Sequence, residues 1–187
     1  VAGLAVLLLL VPRVRPHRGA LATALLIGLA VAWVPWNGMR QARSLPPIHD
    51  ITTDTVDPPV FVDILPLRAD APNSAGYEGG EVADAQLAGY PELGPLRLAL
   101  PLEQAHAHAL AAAEAMGWEI VASDPASGRI EATATTLWFG FKDDVVVRIR
   151  PDGAGSRIDV RSVSRVGGSD VGANAARIRA YLARLRQ

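Results

Sequence analysis

A chain of 187 residues, half of them hydrophobic, has room for one soluble domain plus attachments. Without a single cysteine it holds no thiol nucleophile, no thiolate-bound zinc and no disulfide. A formal net charge of -1 gives none of the clustered cation excess that nucleic acid demands, so nucleic acid is set aside as a partner.

The even total hides segments of unlike sign. Residues 1–40 carry four arginines and no acid, whereas residues 41–101 carry three arginines against nine acids. The remainder is nearly balanced. Lysine occurs once, at Lys142, against seventeen arginines.

Residues 1–12 open with eleven apolar residues, too few for a span of about 20. They read as the end of a transmembrane helix that begins upstream. Residues 13–18 hold Arg13, Arg15, His17 and Arg18 and read as a short basic cytoplasmic loop. Residues 19–36 are eighteen residues without a charge, closing on Trp33, Pro35 and Trp36. That length and those interfacial rings predict a transmembrane helix. Three arginines in the loop against Arg40 and Arg43 beyond the span place the loop inside, by the positive-inside rule. The rest of the chain is then expected on the outer side of a bacterial inner membrane, in the periplasm.

Residues 37–101 read as a Pro-rich, acidic extracytoplasmic connector, since nine of the fourteen prolines fall there and no helical or strand period is sustained. So long an irregular stretch either wraps the folded domain or tethers it away from the bilayer. His49, Asp50 and Asp54 are weak candidates for a divalent metal. No second histidine sits at ligand spacing, and Asp, Thr and Pro in this pattern favour Asx turns. Tyr77 and Tyr90 are expected to anchor the connector on the domain.

Residues 102–187 carry regular periods. Leu102 to Met116 sets Ala105, Ala109, Ala112 and Met116 on one stripe and stops at Gly117, the pattern of a helix. His106 and His108, two apart, are expected in solvent. Strands follow at Trp118–Ser123 and Arg129–Thr136 around a Pro/Gly turn, then at Asp144–Arg150 and Arg157–Val163. Alternation puts Trp118, Ile120, Ile130, Ala132, Val145, Val147, Ile149, Ile158 and Val160 on one face. Glu119, Glu131, Thr133, Arg148, Arg150, Arg157, Asp159 and Arg161 fall on the other, which reads as a solvated ladder of opposite charges. A last helix begins near Ser169 or Asp170 and buries Val171, Ala175, Ile178, Leu182 and Leu185, with Arg177, Arg179, Arg184 and Arg186 wet. The fold class is α+β: a two-layer α-β-β-β-β-α domain with an antiparallel sheet, preceded by N-terminal transmembrane helices.

Two constellations draw the eye. Trp138, Phe139 and Phe141 are the densest aromatic group, around a Gly140 that permits a tight turn. Buried, they close the end of the sheet, which is the commoner case; exposed, they form a contact surface. With Lys142, Asp143 and Asp144 they are the candidate partner-binding residues. Lys-Asp-Asp reads more simply as a neutralised turn than as an acid/base site. The glycine-rich Gly167–Gly172 resembles an anion cradle before a helix, but lacks the Lys-Ser/Thr of a nucleotide loop and the dinucleotide spacing. No cofactor is expected, and no catalytic residue is assigned.

Pro46 to Asp54, Gly117 to Val121, Gly128 to Thr133, Trp138 to Asp144 and Arg161 to Arg179 together resemble the bacterial membrane family catalogued as domain of unknown function 1499 (DUF1499). The resemblance implies inner-membrane proteins with a few N-terminal spans and this C-terminal domain, and no catalytic residues to carry over. The expected function is a membrane-anchored periplasmic interaction module, an accessory or assembly subunit of a larger inner-membrane complex, respiratory or photosynthetic, with the lipid bilayer and a protein as partners. The alternatives are a metal-dependent or acid/base enzyme, or a lipid-binding protein.

Overall fold

The computed structural model describes residues 18–137 and 139–187, so the expectations for residues 1–17 and for Trp138 lie outside the described residues. The chain divides after Leu45 into two compact units. The first holds helix α1, Arg18–Ser44, which continues past the predicted end at Trp36 and takes Pro35 inside it. Within α1, Gly19–Arg40 is long and apolar enough to cross a membrane. At about 1.5 Å per residue those 22 residues match the ~30 Å of a hydrocarbon core.

The second unit, from Pro46 onward, takes in residues 46–101 of the predicted connector, while residues 37–45 fall in the first. That segment supplies strands β1 (Asp50–Thr52) and β2 (Leu96–Leu98), a 3-10 turn at Leu65–Arg68 and helix α2 (Gly80–Gly89). The elements read from periodicity follow: helix α3 (Leu102–Ala115), strands β3 (Glu119–Asp124), β4 (Arg129–Thr135), β5 (Lys142–Asp152) and β6 (Gly155–Ser164), and helix α4 (Ala173–Leu185). The sheet is antiparallel in the order β1-β6-β5-β4-β3, and β2 also pairs with β6. Asp50–Thr52 oppose Val163–Arg161, while Leu96–Leu98 oppose Ile158–Ser156, so the two short strands lie end to end along one edge of β6.

Helices α3 and α4 cover the predicted apolar face. Ala105, Ala109, Ala112 and Ala113 are buried, and such small side chains let α3 approach its neighbours closely. Tyr181 of α4 donates its hydroxyl to the Ala109 carbonyl at 2.8 Å, and its ring stacks on Trp118 at 4.8 Å. His106 and His108 are not solvated as expected. His106 is buried with Nε2 3.5 Å from the Arg129 carbonyl, and half-buried His108 reaches the Leu185 carbonyl at 3.1 Å.

The opposite face overturns the solvated-ladder reading. Residues 53–77 lie across it, and Phe61 and Ile64 pack with Val146 and Val163 in a second small core. Glu131, Asp159 and Arg161 are fully buried beneath this cover. Their charges are tolerated because each is matched. Glu131 accepts the backbone amides of Val62 and Ile64, both at 2.8 Å. Arg161 binds both carboxylate oxygens of Asp50 at 2.9 and 2.7 Å and donates to the carbonyls of Pro59 and Ala75. Its guanidinium lies between the rings of Phe61 and Tyr77, 5.2 and 5.3 Å from their centroids. Arg148 and Arg150 bind Asp57, and all three of Arg148, Arg150 and Arg157 meet Asp54 and Asp159.

The edge of β1 is closed by a side chain. Gln86 of α2 accepts the Thr52 amide at 2.9 Å and donates to the Thr52 carbonyl at 2.6 Å, imitating a further strand for one residue. Tyr90 is buried beneath Arg179, and half-buried Tyr77 packs on Arg161, the anchoring roles expected of them.

Candidate functional site

One end of the sheet keeps its apolar side chains uncovered. Here β4 ends, β5 begins, β6 ends and α4 starts. The β4–β5 hairpin is pinned at its base by Thr136, whose amide donates to the Phe141 carbonyl and whose hydroxyl accepts the Phe141 amide, both at 2.9 Å. Gly140 closes the turn at φ +63°, a torsion that glycine adopts without strain. The loop so held thrusts Leu137 and Phe139 outward, 88% and 78% exposed, and half of Phe141. The rings of Phe139 and Phe141 stack on each other at 5.7 Å, not on the core. The commoner reading of these aromatics as the plug of the sheet therefore fails for Phe139 and Phe141.

Across from the hairpin runs the β6–α4 loop. It exposes Val166 and Val171, so Val171 does not belong to the buried stripe of α4. Val171 has φ +54°, a conformation costly for a β-branched residue. Between the two loops lies a groove of about 280 Å³, lined by Phe141, Val166 and Val171 on its apolar side and by Thr136, Asp143 and Asp170 on its polar side.

Asp143 and Ser164, which line the groove, belong to a polar network behind it. Arg177 holds Asp143 at 2.6 Å and donates to Ser162 at 3.0 Å. Ser162 donates to buried Asn174, whose amide nitrogen bonds Ser164 and the His49 carbonyl. Arg177 is thus not on a wet face. Asp170 accepts the amides of Gly172 and Asn174 at 2.9 and 2.6 Å, so it does serve the start of α4, which begins later than predicted, at Ala173. Burial pushes the Asp170 carboxyl above its ordinary range; those two amides pull it down, and the Asp143 charge adds to the rise.

The candidate residues do not converge. Lys142 is exposed, with Nζ 3.8 Å from Glu119. Asp143 and Asp144 alternate along β5 and go to opposite faces. Asp143 meets Arg177, and Asp144 binds Arg68 at 2.5 Å, Arg165 at 2.9 Å and Thr133 at 2.8 Å. Neither is free to meet a partner. Of the metal candidates, Asp50 is committed to Arg161, and Asp54 forms the expected Asx turn to Val56 and Asp57 while its other oxygen meets Arg157. No group of three or more metal-binding side chains occurs among the described residues. Sequence reasoning missed Arg68 and Phe61 and put Val171 in the buried stripe of the last helix. Of these only Arg68 left a trace, as one of three cations in an acidic stretch.

Residues 50–185 match the family model described as protein of unknown function (DUF1499). The chain belongs to the DUF1499 family. The match runs from the first residue of β1 to the last of α4, so the DUF1499 region includes the acidic segment as well as the periodic one. A search of curated proteins finds no match.

Proposed function

We propose that this DUF1499 protein is a membrane-anchored module that acts by contact, as an accessory or assembly subunit of a larger inner-membrane complex. Helix α1 is its anchor, the arginines before the span stay in the cytoplasm, and the unit from Pro46 onward works in the periplasm. The observation that carries the reading is the groove at the uncovered end of the sheet, where Phe141, Val166 and Val171 present apolar surface to solvent, with Leu137 and Phe139 exposed on the adjoining hairpin. Exposed apolar clusters of this kind mark binding surfaces. The acids beneath them are engaged by arginines or amides, which leaves contact as the better-supported role.

The test is the native mass of the chain, extracted in mild detergent and sized by light scattering. A mass well above monomer plus micelle is expected. A chain that always elutes alone would sink the proposal. Val166→Ser, at an exposed position lining the groove, changes stability by about 0.5 kcal/mol or less, so any loss of assembly is read as loss of contact there.

A further inference from the structure

We infer that the uncovered end of the sheet docks into the interfacial layer of the lipid bilayer, with Leu137, Phe139 and Phe141 as the inserting side chains. The inference goes beyond the proposed function: it gives the hairpin tip to lipid and leaves the groove beside it to the protein partner, and it rests only on the anchoring half of that reading, that α1 spans a membrane. It does not depend on membership of a complex.

The chain enters the folded unit at this same end of the sheet. Ile48 and His49 are stitched to the β6–α4 loop: the Asp170 amide donates to the Ile48 carbonyl at 3.1 Å and the Ser164 amide to that of His49 at 3.0 Å. One residue further, the Arg165 amide donates to the Lys142 carbonyl at the base of the hairpin, at 3.0 Å. The entry point, the hairpin and the β6–α4 loop therefore share one end of the sheet.

The link from the helix is short. Helix α1 ends at Ser44, and Ile48 is already held, so the link spans at most about 14 Å fully extended.

Residues 136–141 and 166–169 contain no charged residue, and Asp170 is largely turned inward. Loops of this kind enter the headgroup region without stripping water from a charge, and aromatic rings are favoured there. Lys142 is offset by Glu119, so attachment is apolar and does not require anionic lipid.

The absence of cysteine makes a clean test possible. Phe139→Cys and, at the far turn between β5 and β6, Ala154→Cys are each labelled with an environment-sensitive fluorophore in the full chain. The protein is then reconstituted in vesicles of phosphatidylcholine, with and without brominated acyl chains. The label at 139 is expected to shift its emission to the blue and to be quenched several-fold more by brominated lipid than the label at 154. Equal behaviour of the two labels overturns the inference. So does a label at 139 that stays in water in vesicles and becomes shielded only in native membranes, which would identify a protein in the lipid's place. Leu137→Cys gives a second reading should Phe139→Cys misfold. Retention of the chain after carbonate washing tests the anchor separately.

Discussion

Replacing Arg161 by alanine tests whether the charged face of the sheet is a buried joint or a solvated surface. Arg161 is 1% exposed, makes four hydrogen bonds and lies between two rings. Truncation leaves the Asp50 carboxylate and the Pro59 and Ala75 carbonyls in place without their donor. Breaking a buried pair from one side costs about 3–5 kcal/mol, against about 0–1 kcal/mol for an exposed one. With a urea slope of roughly 2 kcal/mol per molar for a unit of this size, the midpoint falls by about 2 M. The assay is a urea titration of the full chain in mild detergent, read by pulse proteolysis. Arg161→Lys keeps the charge but loses the two-pronged grip on Asp50, and recovers only part of the loss. The double variant Arg161→Met with Asp50→Leu removes both charges and is expected to lie well above either single variant. A midpoint shift below about 0.5 M for Arg161→Ala would refute the joint, because that is the scale of an exposed pair.

Three further outcomes follow from the geometry. At Gly128 an added Cβ would lie 2.1 Å from the Ile149 carbonyl oxygen at a φ of +65°, so Gly128→Ala is expected to cost on the order of 2–4 kcal/mol, seen as a lowered Tm. Val171→Gly relieves a β-branched residue at positive φ and is expected to raise stability by about 1 kcal/mol, or roughly 2–4 °C in Tm. Asp170 has a raised folded pKa, so its favourable contribution is complete below its unfolded value of 3.8 and is lost as pH rises through the folded value. Asp170→Asn removes that titration while its side-chain oxygen still accepts an amide of the α4 start. The wild type should therefore lose stability relative to Asp170→Asn as pH rises from 3.8, measured by urea midpoints at a series of pH values.

Period two and period three-point-six were enough to place β3 to β6 and both covering helices, because each of those elements declares its buried face within a dozen residues. What covers the second face is not declared locally. Arg161 meets Asp50 and Arg157 meets Asp54 across more than a hundred residues of sequence, and alternation alone says only that such side chains share a face. A ladder of charges looks alike whether water or a partner segment lies over it. One signal was available: an acid-rich stretch at 41–101 and a sheet face with Arg148, Arg150, Arg157 and Arg161 are complementary in sign. The hairpin aromatics stand out in the sequence, but whether Phe139 and Phe141 were core or surface depended on how much apolar area the helices had already covered. Trp118 and Tyr181 fill that space, and Phe139 is left outside.

The same pairing that holds the cover on the sheet also limits what the protein's acids can do. A carboxylate such as Asp144, gripped by Arg68 and Arg165 and by the Thr133 hydroxyl, has its lone pairs occupied and its charge offset. To act as a base it would have to release donors that keep residues 65–77 in place, so chemistry at this position is coupled to loss of structure. Asp170 borders the groove and has the raised pKa that often marks an acid/base group. Burial is the first cause of that rise, and both its oxygens already serve amides at the start of α4. What the groove presents to solvent is therefore the hydrocarbon of Phe141, Val166 and Val171, with Val171 set in a strained torsion that relaxation to glycine would remove along with its side chain. Strained residues cluster at functional sites, and the strain at Val171 supports the contact surface proposed above.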